Sequence, residues 1–189
     1  MTLFEYLSVA ISIVLALSVA QLLGNLREVF DPARRYWVHA LWVVQILLAH
    51  FIFWWGFWAN REVESWNLGF FGLALLNPVL LFVCSNVLVL GQPSDGASWE
   101  KHFFSARRWF FVARGAIAVV AQLRVWLLLQ LPILEPKGIP ALVMILICVT
   151  GVLSENKRVH AALALIGLIQ TVGVGYFRFQ PGFLTLGAP

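Results

Sequence analysis

Six stretches of this chain stay apolar for about the thickness of a lipid bilayer, and no other feature of the sequence restricts its fold as much. They run over residues 3–26, 36–59, 66–90, 108–131, 138–153 and 159–179. A helix that crosses a hydrocarbon core of about 30 Å needs about 20 mostly apolar residues. Inside lipid only helices and closed barrels satisfy their backbone polar groups, and long unbroken apolar runs are a helical pattern. The expectation is an all-α, polytopic transmembrane helical bundle of about six helices, forming one domain over residues 1–189. Composition agrees: hydrophobic residues make up 61% of the chain and charged residues 12%, against about a quarter charged in a soluble domain.

The first stretch ends in Ser18-Val19-Ala20, a spacing of small residues that also suits a signal peptidase. The residues before it carry Glu5 and no Lys or Arg, so it reads as a retained first helix. Asn77-Pro78 falls inside the third stretch, where proline is expected to kink the helix. The fifth stretch is short, and five crossings with a re-entrant segment is the alternative. Gly91-Gln92-Pro93-Ser94-Asp95-Gly96 breaks the chain after the third stretch. Residues 98–105 then read as a short interfacial helix, with Ser98 as its cap and Trp99, Phe103 and Phe104 lying in the headgroup region beside Lys101.

Basic residues set the expected orientation. Arg27, Arg34 and Arg35 follow the first stretch, Lys101, Arg107 and Arg108 precede the fourth, and Lys157 and Arg158 lie between the fifth and sixth. Arg61, Lys137 and Arg178 lie at the other end. The positive-inside rule places the first group in the cytoplasm and both termini on the non-cytoplasmic side. Trp54, Trp55, Trp58, Trp66, Trp126 and Tyr176 fall at the outer boundary and Tyr36, Trp37 and Trp109 at the inner one, as an aromatic belt requires.

The net charge of +4 is spread between apolar blocks, which topology explains and a nucleic-acid surface does not. Cys84 and Cys148 are too few for a disulfide framework or a metal site. No HExxH, GxSxG, Walker sequence or pair of intramembrane aspartates occurs, so the chain leans away from an enzyme and no catalytic or metal-ligating residue is assigned.

Charged groups inside lipid cost several kcal/mol unless satisfied, so they lead the functional candidates. Arg114 and Arg124 lie within the fourth stretch. Each either snorkels to a headgroup region, pairs inside the bundle, or attracts an anionic ligand, a lipid headgroup or an ion. Glu5 is the acidic residue at the depth of Arg124, and a Glu5–Arg124 pair is expected. Asn77 joins them in the outer half. His39 and His50, eleven residues apart, project from nearly one face of the second helix, about 16 Å from each other. Helix histidines hold haem in membrane cytochromes. A haem b site would pair His39 with His102 or His160 and leaves His50 without a mate. Hydrogen-bonded bundle histidines are the plainer reading, with a proton-handling role for His50 beside it. Ser8, Ser12, Ala16 and Ala20 form a small-residue stripe suited to close helix packing.

Several runs carry a resemblance: Phe4-Glu5-Tyr6-Leu7-Ser8-Val9 through Ser18-Val19-Ala20-Gln21-Leu22-Leu23, Phe53-Trp54-Trp55 followed by Arg61-Glu62-Val63-Glu64-Ser65-Trp66, Asn77-Pro78, and Arg107-Arg108-Trp109-Phe110-Phe111. Together they resemble a loose group of small bacterial polytopic inner-membrane proteins without an assigned activity. The resemblance covers about the first 115 residues and implies a bacterial inner-membrane location. The functional expectation is a small oligomeric channel- or transporter-like bundle that handles an ion or anionic ligand. The alternatives are an accessory subunit of a membrane complex and a lipid- or haem-binding module.

Overall fold

In a computed structural model the chain is an all-helical bundle. The structure describes residues 2–62, 67–90, 98–129 and 138–179. Its helices are α1 (Leu3–Val29), α2 (Trp37–Phe57), α3 (Leu68–Val89), α4 (Trp99–Leu129), α5 (Ile139–Leu153) and α6 (Lys157–Phe179), with a 3-10 turn at Trp58–Glu62 after α2. Among the described residues, α1, α2, α3 and α6 are long and apolar enough to cross a membrane. At about 1.5 Å per residue, the 15 residues of α5 reach about 22 Å, short of a hydrocarbon core of about 30 Å.

Local chemistry sets the helix ends. Thr2 and Glu5 close a capping box: the Glu5 amide donates to the Thr2 hydroxyl at 3.2 Å and the Thr2 amide to the Glu5 carboxylate at 2.8 Å. Asn67 caps α3 by accepting from the Phe70 amide at 2.9 Å. Between α1 and α2, Asp31 accepts from the Ala33 amide across Pro32. Asn156 accepts from the Arg158 amide and so starts α6 three residues after α5 ends. α3 runs unbroken through Pro78. A proline there removes the donor that the Ala74 carbonyl would otherwise receive.

The helices close into a ring in the order α1, α3, α4, α5, α6, α2, and α2 also touches α3 and α4. α2 is therefore the most enclosed helix, and its buried face carries His39, Trp42, Gln45 and His50. The exposed surface is the reverse of a soluble protein's. Trp109 is 73% exposed, Ile169 73% and Leu153 78%. Such a surface is stable only where the surroundings are themselves apolar. Trp54, Trp55, Trp58, Trp126 and Tyr176 are exposed, as are Trp37 and Trp109 at the other end, while Trp66 lies outside the described residues.

One expectation is corrected. Residues 98–105 do not form a separate interfacial helix: α4 is continuous from Trp99 to Leu129, and its first turns pack inward. Trp99 and Phe103 are each 1% exposed. Their side chains are held by hydrogen bonding and ring contacts against α1, α2 and α6, which a headgroup layer cannot supply.

Candidate functional site

Three polar layers lie inside the bundle. The first gathers at the end where α1, α3 and α5 finish. The last turn of a helix leaves carbonyls without an intrahelical donor, and side chains from the first turns of α2, α4 and α6 supply the donors. The Trp99 indole donates to the Glu28 carbonyl of α1 at 2.7 Å, and the Trp99 amide to the Arg34 carbonyl at 3.1 Å. His39 and His102 both donate through Nε2 to the Leu88 carbonyl of α3, at 2.9 and 3.1 Å. His160 and Arg107 donate to the Ser154 carbonyl just beyond α5, at 2.9 and 3.3 Å. The basic residues Arg34, Arg107 and Lys157 thus lie at one end of the molecule.

That layer is aromatic throughout. His39 stacks on Trp99 with ring centroids 4.7 Å apart, and His160 sits among Phe103, Phe104 and Phe111. Tyr36, just before α2, packs on Phe103 and Phe104. Burial pushes its phenol above the usual range and the Glu100 carboxylate adds to that. Around the rim, Glu100 pairs with Lys157, and Glu155 pairs with Arg107 and approaches Arg108. These pairs flank a groove of about 400 Å³ that Ser98, Lys101 and Phe104 also line.

The histidines do not suit haem. His39 and His102 do lie together, with centroids 5.9 Å apart and rings nearly perpendicular. The Leu88 carbonyl accepts from both Nε2 atoms, and Trp99 covers the face of His39. A macrocycle has no slot between them. Among the described residues no group of His, Cys, Asp and Glu is arranged to hold a metal ion.

The second layer joins α1, α2 and α3. His50 Nδ1 lies 2.7 Å from the Ile46 carbonyl, and Nε2 lies 2.6 Å from the Ser18 hydroxyl. Ser18 is 2.8 Å from the Ser85 hydroxyl, and Ser85 is 3.0 Å from the Leu81 carbonyl. All three side chains are buried. The layer separates two apolar clusters, one around Leu7, Ile11, Leu15 and Phe57, the other around Trp42, Trp99, Phe110 and Phe111. In the sequence Ser18 is legible only as part of a processing-like run and Ser85 carries no mark beyond a hydroxyl inside an apolar run, one helical turn from a leucine.

The third layer is centred on Arg114, midway along α4 and 9% exposed. Cys84 of α3 and Cys148 of α5 are both buried and lie within electrostatic reach of its guanidinium. A Cβ on the adjacent Gly115 would stand 3.3 Å from Cys148 Cβ, so glycine lets α5 lie close there. Arg114 Nε is buried without a hydrogen-bond partner, and no carboxylate among the described residues pairs with the side chain.

The other expected residues are dispersed. Glu5 closes the α1 capping box. The side chain of Arg124 lies outside the described residues, and the Glu5–Arg124 pair with it. Asn77 is 5% exposed on α3, with Oδ1 unpartnered beside Pro78. Of the small-residue stripe, Ser8 and Ser12 are half-buried and donate to carbonyls one turn back, whereas Ala16 and Ala20 are exposed.

The chain matches no family model, and no curated protein or solved structure proves similar to it.

Proposed function

We propose that the protein is a multi-pass membrane protein that binds a small anion, or the anionic part of a larger ligand, at Arg114 inside its helical bundle. The observation that carries this reading is the Arg114 side chain, 9% exposed and with its Nε buried, to which no carboxylate among the described residues is paired. A cation at membrane depth costs about 2.5–3.5 kcal/mol on insertion scales, and truncating one partner of a buried ion pair costs about 3–5 kcal/mol through the charge left behind. The two thiols beside Arg114 are weak hydrogen-bonding groups and supply no countercharge. With no countercharge among the described residues, a bound anion is the partner this reading assigns, and a bundle with little mass beyond the membrane suits movement of that anion across it.

The basic end formed by Arg34, Arg107, Arg108, Lys157 and Arg158 faces the cytoplasm under the positive-inside rule. The resemblance noted above favours a bacterial inner membrane. In liposomes holding the purified protein, halide or phosphate flux is expected, and Arg114→Gln is expected to abolish it. Flux that survives in a folded Arg114→Gln variant contradicts the proposal.

A second reading, an oligomer or a subunit of a membrane complex, is favoured by the outward face of α1. Ala16, Ala20 and Gly24 are exposed there, and open space surrounds Gly24. Small residues four apart let another helix approach closely. Cysteine crosslinking at Ala20 tests it: crosslinked dimers or a co-purifying subunit favour it, and a monomer in mild detergent counts against it.

A further inference from the structure

The second polar layer has an arithmetic of its own. Four contacts run in series from the Ile46 carbonyl through His50, Ser18 and Ser85 to the Leu81 carbonyl. Each contact needs one hydrogen. The carbonyls at both ends only accept, so His50 must donate from Nδ1 and Ser85 must donate to Leu81 if both end contacts are made. Neutral histidine brings one hydrogen and the two serines one each, which makes three for four contacts.

The 2.7 Å separation at Ile46 puts the hydrogen of neutral His50 on Nδ1. Nε2 then accepts from the Ser18 hydroxyl, and the single Ser85 hydrogen is shared between Ser18 Oγ and the Leu81 carbonyl. A fourth hydrogen removes the shortage. We propose that His50 is a buried proton-binding site whose charged form is completed by Ser18 and Ser85 acting in series. A proton arriving at Nε2 makes the imidazolium donate to Ser18 Oγ. The Ser18 hydroxyl turns to donate to Ser85 Oγ, and the Ser85 hydroxyl donates fully to the Leu81 carbonyl. No covalent bond other than the new N–H forms, and all four contacts are then made.

The surroundings leave this titration to the chain itself. The titratable and charged groups on the helices packed against α2 are Glu5, Tyr6, Arg27 and Glu28 of α1, Cys84 of α3, Glu100, Lys101, His102, Arg107, Arg108, Arg114 and Arg124 of α4, and Lys157, Arg158, His160, Tyr176 and Arg178 of α6. Among the described side chains none of them hydrogen-bonds or ion-pairs with His50. Cys84 neighbours Ser85 but lies towards Arg114, and Arg178 reaches α2 at the Ile52 carbonyl, half a turn beyond His50. The proposal is independent of an anion at Arg114.

The test is nitrogen NMR of 15N-histidine-labelled protein in lipid nanodiscs, with the His50 signals assigned by their loss in His50→Asn. At about pH 8, Nδ1 is expected protonated and Nε2 bare. On acidification towards about pH 4, Nε2 is expected to gain a hydrogen while the fold persists. Ser85→Ala removes the acceptor that Ser18 uses in the charged form, so proton binding is expected to weaken about tenfold, moving the midpoint about one pH unit lower. Hydrogen on Nε2 at neutral pH, a His50 that stays neutral down to acid unfolding, or an unchanged midpoint in Ser85→Ala would each overturn the proposal. The wild-type signals decide it even if the variant does not fold.

Discussion

A methyl group added at Gly151 tests the packing of α4 on α5 at one point. A Cβ there would stand 2.6 Å from Cε2 of Phe111 and 2.7 Å from both Cδ2 and Cγ. Ordinary carbon contacts lie at about 3.5–4.0 Å, so the two helices must part by about 1 Å or the ring must move by as much. The ring is not free to move. Phe111 is fully buried, with Trp42 edge-on at 5.3 Å, Phe110 at 5.1 Å and His160 stacked at 5.6 Å. Overpacking of this kind costs about 1–3 kcal/mol, and the fixed ring puts Gly151→Ala near the upper end. A loss of about 3 kcal/mol lowers the folded-to-unfolded ratio by roughly two orders of magnitude. Reversible unfolding in bicelles measures it directly. Phe111→Ala alone is expected to cost about 3–5 kcal/mol, while the double variant should cost less than the sum by about 1–3 kcal/mol, because the clash has gone. A Gly151→Ala protein as stable as wild type, or strictly additive losses, would refute the reasoning.

Other substitutions probe the end of the molecule where Arg34, Arg107 and Lys157 lie. Arg107→Ala removes donors to the Phe104 and Ser154 carbonyls and a buried partner of Glu155; the expected cost is about 2–4 kcal/mol. Glu155→Ala should cost at most about 1 kcal/mol in the same unfolding assay, because Glu155 is 72% exposed. Trp99→Phe keeps most of the packing but leaves the Glu28 carbonyl without its indole donor; a loss of about 1 kcal/mol is expected. Cys84 and Cys148, 0% and 3% exposed, should resist a membrane-permeant maleimide in the folded protein and react on unfolding. Rapid labelling of either in the native state would contradict the packing around Arg114.

The helical character of the chain was legible because a bilayer imposes a length, which α1, α2, α3 and α6 meet among the described residues and the 15-residue α5 does not. The polar interior was legible only in part. Arg114, His39 and His50 stood out as polar residues in apolar runs, and all three are buried. Their partners did not stand out. His39 is held by a main-chain carbonyl of another helix, and a carbonyl has no signature in sequence. Ser18 read as one of several small residues near a processing-like site, yet it is the direct partner of His50. Trp99 and Phe103 read as interfacial because they neighbour Lys101; only the packing of α4 against the ends of α1 and α3 shows that they face inward. Exposed Ala16 and Ala20 show the limit of a spacing rule: among the described residues the stripe is buried only at its Ser8 and Ser12 end, and only in part.

The anion proposed at Arg114 is open to a direct test. The most direct measurement is thermal unfolding of the purified protein in nanodiscs at constant ionic strength while the anion is varied through chloride, phosphate and a large organic sulfonate. A ligand that binds only the folded state raises stability with the logarithm of its concentration, by about 2.7 kcal/mol at a hundredfold excess over its dissociation constant. The account predicts that at least one of these anions stabilises the wild-type protein in a saturable way and that Arg114→Gln removes the effect. Wild-type and Arg114→Gln proteins that respond identically to every anion would contradict it.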